Sequence, residues 1–251
     1  MFVLVNRDRV AHQLPPLKYD ERLADIARAH SNDMREHHFF DHVSSTFGDL
    51  ASRMDRASYR NLVARENLAE APDIAKAEEN LLASPHHFEN MMATDITHVG
   101  IGLVQGGVKD PRNLTITQAF ARPAKDESAA QARSTMQLVI NRERHERKLP
   151  GVTENRDLTQ YAEEQLRSYV STDEDPDVRT IGAVVSKLLS HKPIRGVRGI
   201  SVSGQVMADS SQFQTPSALL RDAPQQYGVA VAEARPAGKR PVLKVLILVG
   251  L

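Results

Sequence analysis

Between residues 20 and 38 the apolar side chains Leu23, Ile26, Ala27 and Met34 recur at the three-and-four spacing of a buried helical stripe, and His30 falls on the same stripe. Asp20 stands where an N-cap would open that helix. A shorter segment before it, residues 3–14, is expected to be helical and to stop at Pro15-Pro16, which cannot continue a helix. The stretch HHFFDHVSS breaks the periodicity and reads as a loop. Leu50, Arg53 and Met54 return to helical spacing over residues 47–57, and residues 65–71 read as a crossing segment to a fourth helix at 74–82. Ser84-Pro85 then reads as the N-cap and first-turn proline of a short fifth helix reaching Met92. Residues 99–104 and 114–120 are strand-like, joined by the turn-rich QGGVKDPRN. Helices followed by an antiparallel pair predict an α+β sandwich.

The polar, Ala/Ser-rich stretch RPAKDESAAQARS reads as a linker, after which the pattern starts again. Residues 140–144 echo residues 5–9 at an offset of 135 residues. Leu149-Pro150 echoes Leu14-Pro15, and Leu158 and Ala162 echo Leu23 and Ala27, at the same offset. Thr215-Pro216 parallels Ser84-Pro85, and residues 227–231 parallel residues 99–103. These landmarks predict a tandem duplication: a first domain over 1–123, a linker over 124–135 and a degenerate second copy over 136–251.

Composition narrows the chemistry. Among 251 residues, Lys plus Arg and Asp plus Glu both number 32, so no overall field recruits nucleic acid or an anionic membrane. Cysteine is absent, which removes disulfides, thiolate metal sites and cysteine nucleophiles. The opening MFVLVNRDRV is too short in apolar residues for a signal h-region, and no apolar run approaches the ~18 residues of a membrane span.

What remains is a group of polar side chains, His42, Glu66 and His87, in and around residues 64–92. They are expected to meet in one cleft. Three readings stand. Two imidazoles and a carboxylate are ligands for Zn²⁺ or a similar divalent cation, although nothing resembles HExxH. Glu66 could instead work as a catalytic acid–base group, alone or through a metal-bound water, in a peptide or ester hydrolase; no GxSxG elbow supplies a nucleophile. Or the three are structural polar groups of a non-catalytic scaffold. Adjacent His86 and His87 cannot both enter one pocket, because successive helical side chains diverge by roughly 100°. The second copy has lost the set: no Glu-Asn pair follows Ser171, and Ala218 or a neighbour stands where His87 would be.

The ordered set Asn6 and Arg9, LKYDERL at 17–23, Phe40 and His42, Arg53-Met54, Glu66-Asn67, SPHH at 84–87, GIG at 100–102 and QAF at 118–120 resembles the CAP superfamily. This comprises cysteine-rich secretory, antigen 5 and pathogenesis-related proteins, also called SCP or allergen-V5 domains, and the match is to the cysteine-free bacterial form. The resemblance implies an α-β-α sandwich around a small antiparallel sheet, here in tandem, with cavity histidines at His42 and His87 and the cavity glutamate at Glu66. A second cavity glutamate of animal members has no counterpart near Ala83-Ser84, and Leu81 replaces the usual tryptophan. The resemblance further implies a secreted or periplasmic binding protein. Its cavity would take a divalent metal, and its ligand would be a small molecule, a lipid or a cell-envelope or protein partner. The two copies are expected to pack on each other.

Overall fold

Asp20 acts as the N-cap its position predicts: its carboxylate accepts the Leu23 N–H at 3.1 Å. In the computed structural model, which describes residues 1–222 and 226–251, the chain divides into two compact units, Met1–Ala124 and Lys125–Leu251.

The first unit runs α1 (Phe2–Ala11), β1 (Lys18–Tyr19), α2 (Glu21–Glu36), α3 (Leu50–Arg56), β2 (Asn61–Ala71), α4 (Ile74–Ala83), α5 (Pro85–Met91), β3 (His98–Gln105) and β4 (Leu114–Pro123). Its four strands lie in the order β1-β3-β4-β2. β3, β4 and β2 are antiparallel, but β1 pairs in parallel with β3, Lys18 opposite His98, so the sheet is mixed and not purely antiparallel. The predicted crossing segment at 65–71 is instead the second half of an eleven-residue strand, β2.

α2 covers one face of the sheet with Leu23, Ile26 and Ala27, joined by Met54 of α3. Its approach is backbone to backbone. A Cβ on Gly100 would lie 2.2 Å from the main chain at Leu23 and Ala24, and one on Gly102 equally close to Ala27 and Arg28. α1, α4 and α5 cover the opposite face, where Val5, Ala77, Leu81 and Met91 bury Val99, Ile116 and Phe120. Two helical layers on a sheet make the α-β-α sandwich. Arg9, 1% exposed, ties the outer layer together, donating Nε to the Pro15 carbonyl at 3.0 Å and Nη1 to the Met91 and Ala93 carbonyls at 2.7 and 2.9 Å. A cation there also offsets the negative end of α5.

The second unit runs α6 (Ala129–Glu146), β5 (Thr153–Glu154), α7 (Arg156–Arg167), α8 (Val178–His191), β6 (Ile200–Met207), two 3₁₀ turns (Ser210–Gln212 and Ser217–Leu220), β7 (Gln226–Ala234) and β8 (Val242–Gly250). Its sheet order is β5-β7-β8-β6, again with a parallel first pair. The linker expected over 124–135 is helical from Ala129. Ser128 caps the Gln131 N–H while the Gln131 side chain bonds back to the Ser128 N–H, a reciprocal pair that outweighs the loop-like composition. α6 packs Met136 and Ile140 on Val245, Ile247 and Val249. On the other face α7 and α8 pack Leu158, Ala162, Ile181 and Val185 on Leu246 and Leu248.

Candidate functional site

Glu66 sits midway along β2, opposite Ala119 of β4, and its side chain is 5% exposed. A buried carboxylate must be paired, and this one is paired twice. Arg53 of α3 donates Nη1 to Oε2 at 2.9 Å and Nη2 to Oε1 at 3.1 Å, a two-pronged ion pair. His42 brings Nδ1 to Oε1 at 2.9 Å. Arg53 also donates Nη2 to the His42 carbonyl at 3.0 Å and Nε to the Asp49 carbonyl at 3.2 Å. One guanidinium therefore fixes the carboxylate, the loop carrying His42 and the start of its own helix.

Burial works against the Glu66 charge, but the hydrogen bonds from His42 and Arg53 outweigh it and hold the carboxyl below its ordinary range. The Glu66 hydrogen bond raises His42 above the usual imidazole value, and its ring stays half exposed. Since the carboxylate can only accept, Nδ1 carries the proton and Nε2 is left for another partner.

His87 arrives from α5. Asn67, fully buried beside Glu66, donates Nδ2 to the His87 carbonyl at 3.0 Å and to Gln118 Oε1 at 3.1 Å. Asn90 donates to the Glu66 carbonyl at 3.1 Å and to Asn67 Oδ1 at 2.9 Å. These bonds staple α5 to β2. His87 lies below the ordinary imidazole value, first through burial and then through the nearby His42 and His86, so it is predominantly neutral near pH 7. It lines a groove of about 290 Å³ together with Phe40, Leu68, Leu81, Ser84 and Lys109. Lys109 stands 5.7 Å over the Phe40 ring. The rim carrying Lys109 is held by Glu70, whose carboxylate accepts the main-chain N–H groups of Val108, Lys109 and Asp110 at 3.0–3.1 Å and Asn113 Nδ2 at 3.2 Å.

Of the expected set, His42 and Glu66 are in contact, and His87 comes in from α5 near them. Among the described residues no group of three His, Cys, Asp or Glu side chains is placed to hold a metal ion. Glu66 makes a poor ligand, because its oxygens are already taken by a guanidinium and a cation beside them would face that charge. His30, on the buried stripe of α2, is a core histidine whose Nε2 bonds the Asp41 carbonyl at 3.0 Å. His86 is 94% exposed. Arg53, Asn90 and Gln118 join the network although the periodicity marked none of them as a site residue; for Arg53 the only signal was its place in the Arg53-Met54 pair.

Residues 2–120, nearly the whole first unit, match the sequence model of the cysteine-rich secretory protein family, CAP. Residues 2–120 therefore form a domain of that family, in a form without cysteine. Two relatives come from Bacillus subtilis (strain 168). The "uncharacterized membrane protein YlbC" is 37% identical over 101 residues, covering 40% of this chain and 29% of that protein. The "uncharacterized protein YkwD" is 35% identical over 108 residues, covering 41% of each. The chain thus spans well under half the length of these relatives. Among solved structures, an extracellular SCP-domain protein from Bacillus anthracis str. Ames is 33% identical, with a TM-score of 0.44 over 48% of this chain and 38% of that one. No helix of the described residues is long and apolar enough to cross a membrane.

Proposed function

We propose that the first unit is a binding module, whose recognition site is the groove lined by His87 together with the neighbouring His42, and that the chain acts outside the cytoplasm, as its family suggests. The observation that carries this reading is the 2.9 Å contact between His42 Nδ1 and Glu66 Oε1, backed by Arg53. It orients the half-exposed ring and keeps Nδ1 occupied, so that Nε2 is the nitrogen available to another partner, the arrangement in which a carboxylate supports a histidine that engages something else. A divalent cation such as Zn²⁺ would be held by the two imidazoles alone, with Glu66 positioning His42, and would supply a Lewis-acidic centre to a small-molecule ligand. The 290 Å³ groove, walled by Phe40, Leu68 and Leu81, suits a ligand of that size. The hydrolase alternative is less favoured: a carboxylate held below its ordinary pKa by a guanidinium is a poor base.

Calorimetric titration of the metal-free protein with Zn²⁺ tests this. Binding is expected to vanish in His42→Ala and His87→Ala and to weaken about 10–100-fold in Glu66→Gln. Zn²⁺ binding unchanged in both histidine variants would overturn the assignment.

We also infer that the second unit is a diverged tandem copy. Arg144 repeats the grip of Arg9, bonding the carbonyls of Pro150, Leu219 and Arg221. Lys148 repeats the positive φ of Gln13, 58° against 61°. Gly228 meets Leu158 and Thr159 as Gly100 meets Leu23 and Ala24. In the matching register Val202, opposite Leu248, occupies the place of Glu66, so recognition rests on the first unit. Expressing residues 1–124 alone tests the division of labour: Zn²⁺ affinity equal to that of the full chain is expected, and loss of affinity in a folded fragment would count against it.

A further inference from the structure

A second cavity of the first unit, of about 440 Å³ and lined by none of His42, Glu66 or His87, lies between α2 and α3. Its apolar wall is formed by Ile26, Ala29, Phe47 and Ala57, and three arginines, Arg22, Arg53 and Arg56, border it. The acidic neighbour, Asp25, is tied to Arg28 at 2.6 Å, which leaves the cavity with an excess of positive charge. Arg53 is committed to Glu66, whereas the other two guanidinium groups sit at the exposed border.

Those two are held in place before any ligand arrives. Arg22 donates Nη2 to the Ala57 and Ser58 carbonyls, both at 3.1 Å, and lies 5.4 Å over the Tyr59 ring. Arg56 donates Nη2 to the Thr46 carbonyl at 3.3 Å and lies 5.7 Å over the Phe47 ring. A guanidinium carries five N–H donors, so one engaged nitrogen on each leaves others for an incoming anion. Planar guanidinium groups bind carboxylates through paired hydrogen bonds and stack on flat rings. An apolar slot beside a phenylalanine, closed at its edge by two positioned arginines, combines both preferences.

We infer that this cavity binds a small aromatic carboxylate of one or two fused rings, the ring system against Phe47, Ile26 and Ala29 and the carboxylate on Arg22 and Arg56. An aliphatic acid would offer the carboxylate but no π-face to Phe47 and the arginine planes; a neutral aromatic would leave the cations without a partner.

Naphthoate, followed by its own fluorescence and by calorimetry on the full chain, is the probe. Saturable one-to-one binding is expected, with naphthylmethanol weaker by about tenfold or more, the scale of a lost charged hydrogen bond, and decanoate weaker by up to about tenfold for want of ring stacking. The exposed helix-surface substitution Ala29→Trp should fill the slot and abolish binding without changing the melting temperature. Arg22→Gln with Arg56→Gln should weaken naphthoate about tenfold or more and leave naphthylmethanol unaffected. No saturable binding at millimolar naphthoate, equal affinity for decanoate, or undiminished binding in Ala29→Trp would each overturn the assignment. Zn²⁺ titration of Ala29→Trp should match the parent protein, which separates failure here from failure at His42 and His87.

Discussion

Arg53 and Glu66, thirteen residues apart on α3 and β2, meet through both prongs of the guanidinium and both oxygens of the carboxylate, at 2.9 and 3.1 Å. Each side chain is 5% exposed, so neither charge can turn to water if the other is removed. Arg53→Ala is therefore expected to cost about 3–5 kcal/mol of stability in urea unfolding. Arg53→Lys should recover only part of it, because an ammonium cannot match the planar fork. A loss below about 1 kcal/mol for Arg53→Ala would mean that the pair is not what holds the site.

His42 reports on the same carboxylate. Its folded-state pKa is raised above the ordinary 6.5, chiefly by the Glu66 hydrogen bond. The stabilisation is therefore complete below that ordinary value and lost as pH rises through the raised one. NMR titration of the ring should give a value above that of a free histidine in the parent, falling in Glu66→Gln, with His87 titrating below His42 in the parent. Identical His42 curves in parent and variant would show that the contact does not persist in solution.

A different carboxyl sets a second pH limit. Burial, aided by the neighbouring Asp8 carboxylate, pushes Glu78 of α4 up to about 7 from 4.5. A neutral Glu78 is compatible with the core, so its favourable state is fully populated below 4.5 and is lost as pH rises through about 7. Glu78→Gln should flatten this dependence and raise stability at pH 8 by on the order of 2 kcal/mol. Thermal melts of parent and variant from pH 5 to pH 9 would decide it; parallel curves would refute the burial argument.

Gly100→Ala and Gly228→Ala test the backbone contacts between sheet and helix. Each new methyl would sit 2.2 Å from main-chain atoms of the covering helix, which cannot yield as a side-chain tip can. Each substitution should cost about 3 kcal/mol in the unit that carries it, measured by calorimetry. Gly151→Ala, where nothing lies within 4 Å, is the control.

The elements with a clean period were legible in the letters. α2 showed its stripe and its aspartate cap, and the central strands β3 and β4 showed their apolar runs. β2 was not legible in full, because Arg65, Glu66 and Asn67 place three polar residues in its middle and mimic a crossing loop. Only pairing with β4 on one edge and the ion pair to α3 make burial of those residues tolerable, and both lie far along the chain. The start of α6 was legible after all. Ser128 and Gln131 spell a capping box, and reading composition ahead of that spacing turned a helix start into a linker. His42 and Glu66 were anticipated together, but Arg53 was not, since a helix position shows which face a side chain takes and not which distant carboxylate it will meet.

Glu70 carries a consequence for how any guest would enter. By gathering three main-chain amides and the Asn113 amide onto one carboxylate, it freezes the lip beside His87 in advance. An arriving molecule then meets a finished doorway and spends none of its affinity on ordering that segment. Discrimination between candidates should accordingly lie in how long they stay, and their rates of entry should differ little.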